Sequence, residues 1–119
     1  MEDIMRYELF AVLLGSTRGA RAVARRLRAY GVRDAVLVSE ARPLLPSPLC
    51  RMPRYAIPHA AADELLLAAL YDVEIVSGTA LPLLVVCDAR YAGFVSRCRE
   101  ELERRFVVRD AQALLEASR

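Results

Sequence analysis

The sequence predicts an α/β fold, a three-layer sandwich around a mostly parallel sheet of about 4–5 strands. Three observations predict it. Short runs that are apolar at nearly every position recur, as in strands covered on both faces; YELFAVLL over Tyr7–Leu14 and LPLLVV over Leu81–Val86 are two. Between such runs lie segments whose apolar residues return every three or four positions, as on one face of a helix. The two kinds alternate, and helical crossovers of this length join parallel strands with right-handed sense.

Taken in order, Met1 to Arg6 read as a loose lead-in and Tyr7–Leu14 as the first strand, ended by Gly15. Gly15, Ser16, Thr17, Arg18 and Gly19 form a tight turn into a helix from about Arg18 to Tyr30. Its buried stripe is Ala20, Val23, Ala24, Leu27 and Tyr30, and Gly31 stops it. DAVLVS, Asp34 to Ser39, is the second strand. Pro43, Pro46, Pro48 and Pro53 then exclude regular structure from Glu40 to Arg54, and Tyr55 to Ile57 reads as a short edge strand. Asp63 is expected to cap a helix that begins with Glu64, is apolar almost all round, and ends about Ser77 before Gly78. The stretch Leu81 to Arg105 follows, joining a buried strand to a two-faced helix through Asp88. Tyr91, Phe94, Val95, Cys98 and Leu102 share one face of that helix, and Arg97, Glu100, Glu101 and Arg104 cover the other. Asp88 stands at the N-cap position, where its carboxylate accepts from amides of the first turn. Phe106 to Val108 reads as the last strand, and Asp110 as the cap of a final helix from Ala111 to about Ala117.

Composition bounds the function. At 119 residues, 55% hydrophobic and 27% charged, the chain reads as one globular domain. A net charge of +2 predicts no obligatory nucleic-acid partner. All 17 basic residues are arginine, which excludes a Schiff-base lysine, a lysine general base and a P-loop lysine. Cys50, Cys87 and Cys98 share no CxxC spacing and are accompanied by a single histidine, His59. A disulfide framework or closed zinc site is therefore not expected, and a reducing compartment is. The apolar runs fall far short of the ~20 residues of a membrane-spanning helix, and MEDIMRYELF lacks the apolar core of a signal peptide. The expected location is cytoplasmic, with no membrane partner.

In open α/β sheets ligands bind at the carboxyl edge of the strands. That edge would gather Gly15–Arg18, Ser39–Arg42 and Cys87–Tyr91. The turn GSTRGA approaches the dinucleotide fingerprint G-x-G-x-x-G/A at Gly15 and Ala20, but Thr17 occupies the second glycine position; a tight strand-to-helix turn explains it equally well. Glu40 stands where a ribose-binding acid would. Arg18, Arg21, Arg25 and Arg28 share one side of the first helix, as an anion-binding stripe or a solvated face. Cys87 is read as a small core residue or as a thiolate under the next helix's dipole. Leu13, Leu14 and Gly15 supply none of the acids of a phosphoreceiver. Asp88 and Tyr91 are read either as a cap and a core aromatic or as a carboxylate and a phenol holding a polar small molecule.

VLLGSTRGARAVARRLRAYGVRDAVLVSE, SPLCRMPRY and LLVVCDARYAGFVSRCREELERRFVV together resemble the N-terminal, Rossmann-like pre-ATP-grasp domain of carboxylate-amine ligases of the ATP-grasp superfamily, in the carbamoyl-phosphate-synthase-like branch. The resemblance runs from about Phe10 to Ala113. It rests on the glycine turn with Ala24 and Arg25 following in the helix, on Ser47–Tyr55, and on the pattern Asp88, Tyr91, Ser96, Glu100, Glu101, Leu102. Gly19 and Arg21 depart from the polar and aromatic residues common there. The resemblance implies a noncatalytic wall of a substrate pocket, with Gly15, Ser16, Thr17, Arg18, Asp88, Arg90 and Tyr91 facing a small-molecule substrate. It also implies that ATP and magnesium are held by downstream ATP-grasp domains rather than by this chain, and that copies make subunit contacts. A free-standing nucleotide- or dinucleotide-binding protein and a dimerisation module are the alternatives.

Overall fold

A computed structural model describes residues 10–15, 17–29, 31–32, 34–40, 53–58, 60–78 and 82–112. Five strands, β1 (Phe10–Leu14), β2 (Asp34–Glu40), β3 (Arg54–Ile57), β4 (Leu83–Val86) and β5 (Val107–Asp110), form one sheet in the order β3-β2-β1-β4-β5. Every pairing is parallel. Three helices connect them: α1 (Thr17–Ala29), α2 (Asp63–Ser77) and α3 (Ala92–Glu103), the last preceded by a single 3-10 turn, Ala89–Tyr91.

Side-chain alternation along the strands sorts the core into two layers. Leu13, Leu37 and Val85 point to the face covered by Ala20, Val23 and Leu27 of α1. Val12, Val38 and Leu84 point to the opposite face, where Leu66 and Leu70 of α2 and Phe94 and Leu102 of α3 pack. β1 is the central strand, and Ala11 through Leu14 are all fully buried, which is why its sequence shows no polar alternation. β3 takes an edge position, as its flanking prolines predict.

The helix ends follow from local chemistry. Gly31, at φ 94°, donates to Arg28 O and Val32 donates to Leu27 O, the paired bonds of a Schellman stop. Gly78, at φ 67°, ends α2 with its N–H on Ile75 O. The expected cap of α2 is corrected. Ala62 occupies the cap position, Asp63 is the first helical residue, and its two carboxylate oxygens accept from Arg97 Nε at 2.8 Å and Nη2 at 3.0 Å. A bidentate guanidinium satisfies the carboxylate better than one backbone amide would, and it holds the Asp63 carboxyl below its usual range while tying α2 to α3. The last strand begins one residue late, because Phe106 N–H still donates to Leu102 O in the final turn of α3. It runs on to Asp110, which pairs with Val86. Ala111 and Gln112 are helical, with Gln112 N–H on Asp110 Oδ1 at 2.7 Å, while the rest of the expected final helix lies outside the described residues. So do the lead-in, Tyr30 and most of the proline-rich segment. Among the described residues no helix is long and apolar enough to cross a membrane.

Leu70 is fully buried between α2 and the sheet. Leu70→Ala is expected to cost about 2–5 kcal/mol, read as a lower urea midpoint at unchanged slope.

Candidate functional site at the carboxyl edge

The chain leaves β1 for β2 on one side and later crosses to β4 on the other, so the carboxyl ends of β1 and β4 flank a topological switch point. The register sets these ends level: Leu14 pairs with both Val38 and Val86. Just beyond, Gly15 N–H donates to Val38 O at 3.1 Å and Cys87 N–H to Leu14 O at 2.7 Å.

Across the switch point the two turns touch. Gly15 has φ 141°, and a Cβ built on it would lie 2.7 Å from Asp88 Cβ and 2.8 Å from Asp88 N. On Gly19, in the first turn of α1, a Cβ would lie 2.5 Å from the Cys87 carbonyl oxygen. Side chains at either position would meet backbone, so both glycines are required by the chain's own packing. The spacing that resembles a nucleotide fingerprint thus has a cause within the fold.

Asp88 is a cap, as expected, with the difference that it caps the 3-10 turn: its Oδ1 accepts from Arg90 N–H at 3.1 Å. Its other oxygen, Oδ2, lies 3.4 Å from Arg90 Nε, and Arg90 Nη1 donates to Glu40 Oε1 at 3.0 Å. The guanidinium therefore bridges the loop after β4 to the end of β2, over β1. The charge of Asp88 is the largest single cause raising the Arg90 pKa, followed by the charge of Glu40 and its hydrogen bond. Half of the Arg90 side chain remains exposed, against 12% for Glu40. Tyr91 is buried on the core face, and its phenol is pushed above its usual range first by burial and then by the charge of Glu40.

Of the sequence-predicted site residues, the structure brings Gly15, Asp88, Arg90 and Tyr91 together. The backbone of Thr17 and Arg18 opens α1 beside them, and Ser16 lies outside the described residues. Glu40 joins them as the Arg90 partner, 50 residues away in sequence. Ser39, which the sequence places at this edge without a role of its own, sits at the end of β2. It is 6% exposed, and its Oγ has no hydrogen-bond partner. It stands beside Gly15 on the α1 side of the sheet. Nothing in the apolar run DAVLVS distinguishes it from an ordinary strand serine.

Of the two readings of Cys87, the small apolar residue fits the structure and the thiolate does not. Burial, reinforced by Asp110 and Asp88, pushes its thiol up to about 12, and its Sγ leans on Val85 O at 3.6 Å. It is a partly buried thiol beneath the turn, packed against the α1-side core layer. Among the described residues no cluster of histidine, cysteine or carboxylate could hold a metal ion.

A thiol raised to about 12 is a thiolate in roughly one molecule in ten thousand near pH 8. Iodoacetamide at that pH should leave Cys87 of the folded chain unmodified while labelling it fully in urea, as read by peptide mass spectrometry; equal rates in both states would contradict the assignment. The same shift implies that this group's contribution to stability is complete below the ordinary thiol pKa and is lost as pH rises through about 12.

No family model, curated protein or solved structure matches this chain.

Proposed function

We propose that this chain is a noncatalytic domain of an ATP-grasp ligase, one in which a carboxylate is activated by ATP for attack by an amine, and that its carboxyl edge forms one wall of the small-molecule pocket. The observation that carries the reading is the contact of Gly15 with Asp88 and of Gly19 with the Cys87 carbonyl. These approaches draw the turns after β1 and β4 together into a continuous surface, with the backbone of one turn occupying space that a phosphate cradle would leave to a ligand.

The chemistry of that surface agrees. It presents a guanidinium held between two carboxylates, Arg90 with Glu40 and Asp88, and a phenol beneath. A guanidinium has five N–H donors in a fixed fork, so a held and half-exposed one orients a polar substrate. The two carboxylates leave the cluster with a net negative charge, which suits hydrogen-bond donors such as amines and hydroxyls better than phosphates. The whole sequence contains no lysine to meet a triphosphate. In this reading ATP and Mg²⁺ belong to downstream ATP-grasp domains, the activity is cytoplasmic, and Gly15, Ser16, Thr17, Arg18, Asp88, Arg90 and Tyr91 line the wall.

The competing reading is a nucleotide- or dinucleotide-binding protein in its own right, and Glu40 at the end of β2 favours it. In the structure Glu40 is engaged by Arg90 rather than facing a vacant turn. Calorimetric titration of the chain with ATP, NAD and NADP decides between the two. The proposal expects no saturable binding at micromolar ligand, and saturable micromolar binding of any of the three would overturn it in favour of the competitor.

A further inference from the structure

The two outer helical layers carry opposite charge. α1, TRGARAVARRLRA, has five arginines and no acid. α2, DELLLAALYDVEIVS, has four acids and no base. Part of this charge is used within the fold: Asp63 pairs with Arg97, Glu74 lies 3.8 Å from Arg105, and Arg26 has a partner. Asp72 Oδ2 also accepts from the Tyr55 hydroxyl at 3.1 Å. Arg21, Arg25 and Arg28 are exposed on α1, Glu64 and Asp72 are exposed on α2, and none of the five has an oppositely charged partner among the described residues.

Apolar surface accompanies the acidic face. Leu65, Ile75 and Val76 of α2 are 53%, 65% and 86% exposed, the large apolar side chains most open to solvent among the described residues. The outer face of α1 sets small residues, Ala22 and Ala29, beside its arginines, leaving room for such side chains to approach. The charge rows also match in length. At a helical rise near 1.5 Å per residue, Arg21 and Arg28 lie about 10 Å apart along α1, and Glu64 and Asp72 about 12 Å apart along α2.

We propose that copies of this chain associate head to tail, the arginine face of α1 in one copy seated on the acidic, apolar face of α2 in the next. The two faces lie on opposite sides of the sheet. A pair of copies therefore satisfies only one contact, and the interface propagates instead of closing as a two-fold dimer.

Sedimentation velocity of the 119-residue chain tests this, with two variants that change only exposed side chains: Arg21→Glu/Arg25→Glu on α1 and Glu64→Arg/Val76→Arg on α2. The wild-type chain is expected to form species larger than a dimer as concentration rises at about 50 mM salt, and to return toward the monomer at about 500 mM. Each variant alone, with its far-UV circular dichroism unchanged, is expected to stay monomeric. An equimolar mixture of the two should associate again, because the intact α2 face of one variant meets the intact α1 face of the other. A wild-type monomer at every concentration, a wild-type species that stops at the dimer, or a variant that still self-associates would each overturn the proposal. So would tight binding of a labelled DNA duplex by the wild type that the α1 variant loses, which would assign the arginines to nucleic acid.

Discussion

Two backbone contacts across the switch point organise the site: Gly19 against the Cys87 carbonyl and Gly15 against Asp88. They exist because α1 must start almost immediately after β1 while α3 starts almost immediately after β4, and the two strands are direct neighbours. Two turns leaving adjacent parallel strands at the same level compete for the same space. Glycine at both positions removes the side chains that would keep them apart. The contact then seals Cys87 under the edge and sets Asp88 beside the first turn of α1.

Once Asp88 is fixed, the remainder of the site follows from hydrogen-bonding capacity. One carboxylate oxygen is used on the Arg90 amide and the other faces the Arg90 guanidinium, so one residue is held through both backbone and side chain. The guanidinium reaches across β1 to Glu40, joining the two halves of the sheet at the edge where ligands of such folds bind. This cluster lies on the same side of the sheet as α2 and α3, whereas Ser39 and Cys87 lie on the α1 side. The edge thus offers a charged, half-open surface on one side and a partly buried thiol and an unpartnered hydroxyl on the other.

The elements were legible in the sequence wherever burial acts through local period. The unbroken apolar runs marked β1 and β4, the three- and four-residue spacing marked α3 and its buried face, and Gly31 and Gly78 marked helix ends that do adopt positive φ. What was not legible depends on partners distant in sequence. Asp63 looked like a cap because its partner Arg97 is 34 residues away, and Glu40 looked like a free acid because Arg90 is 50 away. The start of β5 was misplaced by one residue because Phe106 is claimed by a helix-terminal hydrogen bond. The glycines of the first turn were visible, but their cause, the nearness of Cys87 and Asp88, exists only after the strands are paired.

The most direct measurement is the effect of the same substitution at two first-turn helical glycines. Gly19 of α1 meets a backbone carbonyl, whereas a Cβ at Gly93 of α3 would meet only Arg97 Nη1, at 3.2 Å, the guanidinium nitrogen that makes neither bond to Asp63. In urea denaturation, Gly19→Ala is predicted to lose about 1–3 kcal/mol by forcing the turns apart. Gly93→Ala is predicted to be neutral or to gain up to about 1 kcal/mol, since alanine restricts the unfolded chain more than glycine does. Equal effects at the two positions, or a Gly19→Ala chain as stable as wild type, would contradict a carboxyl edge held together by that contact.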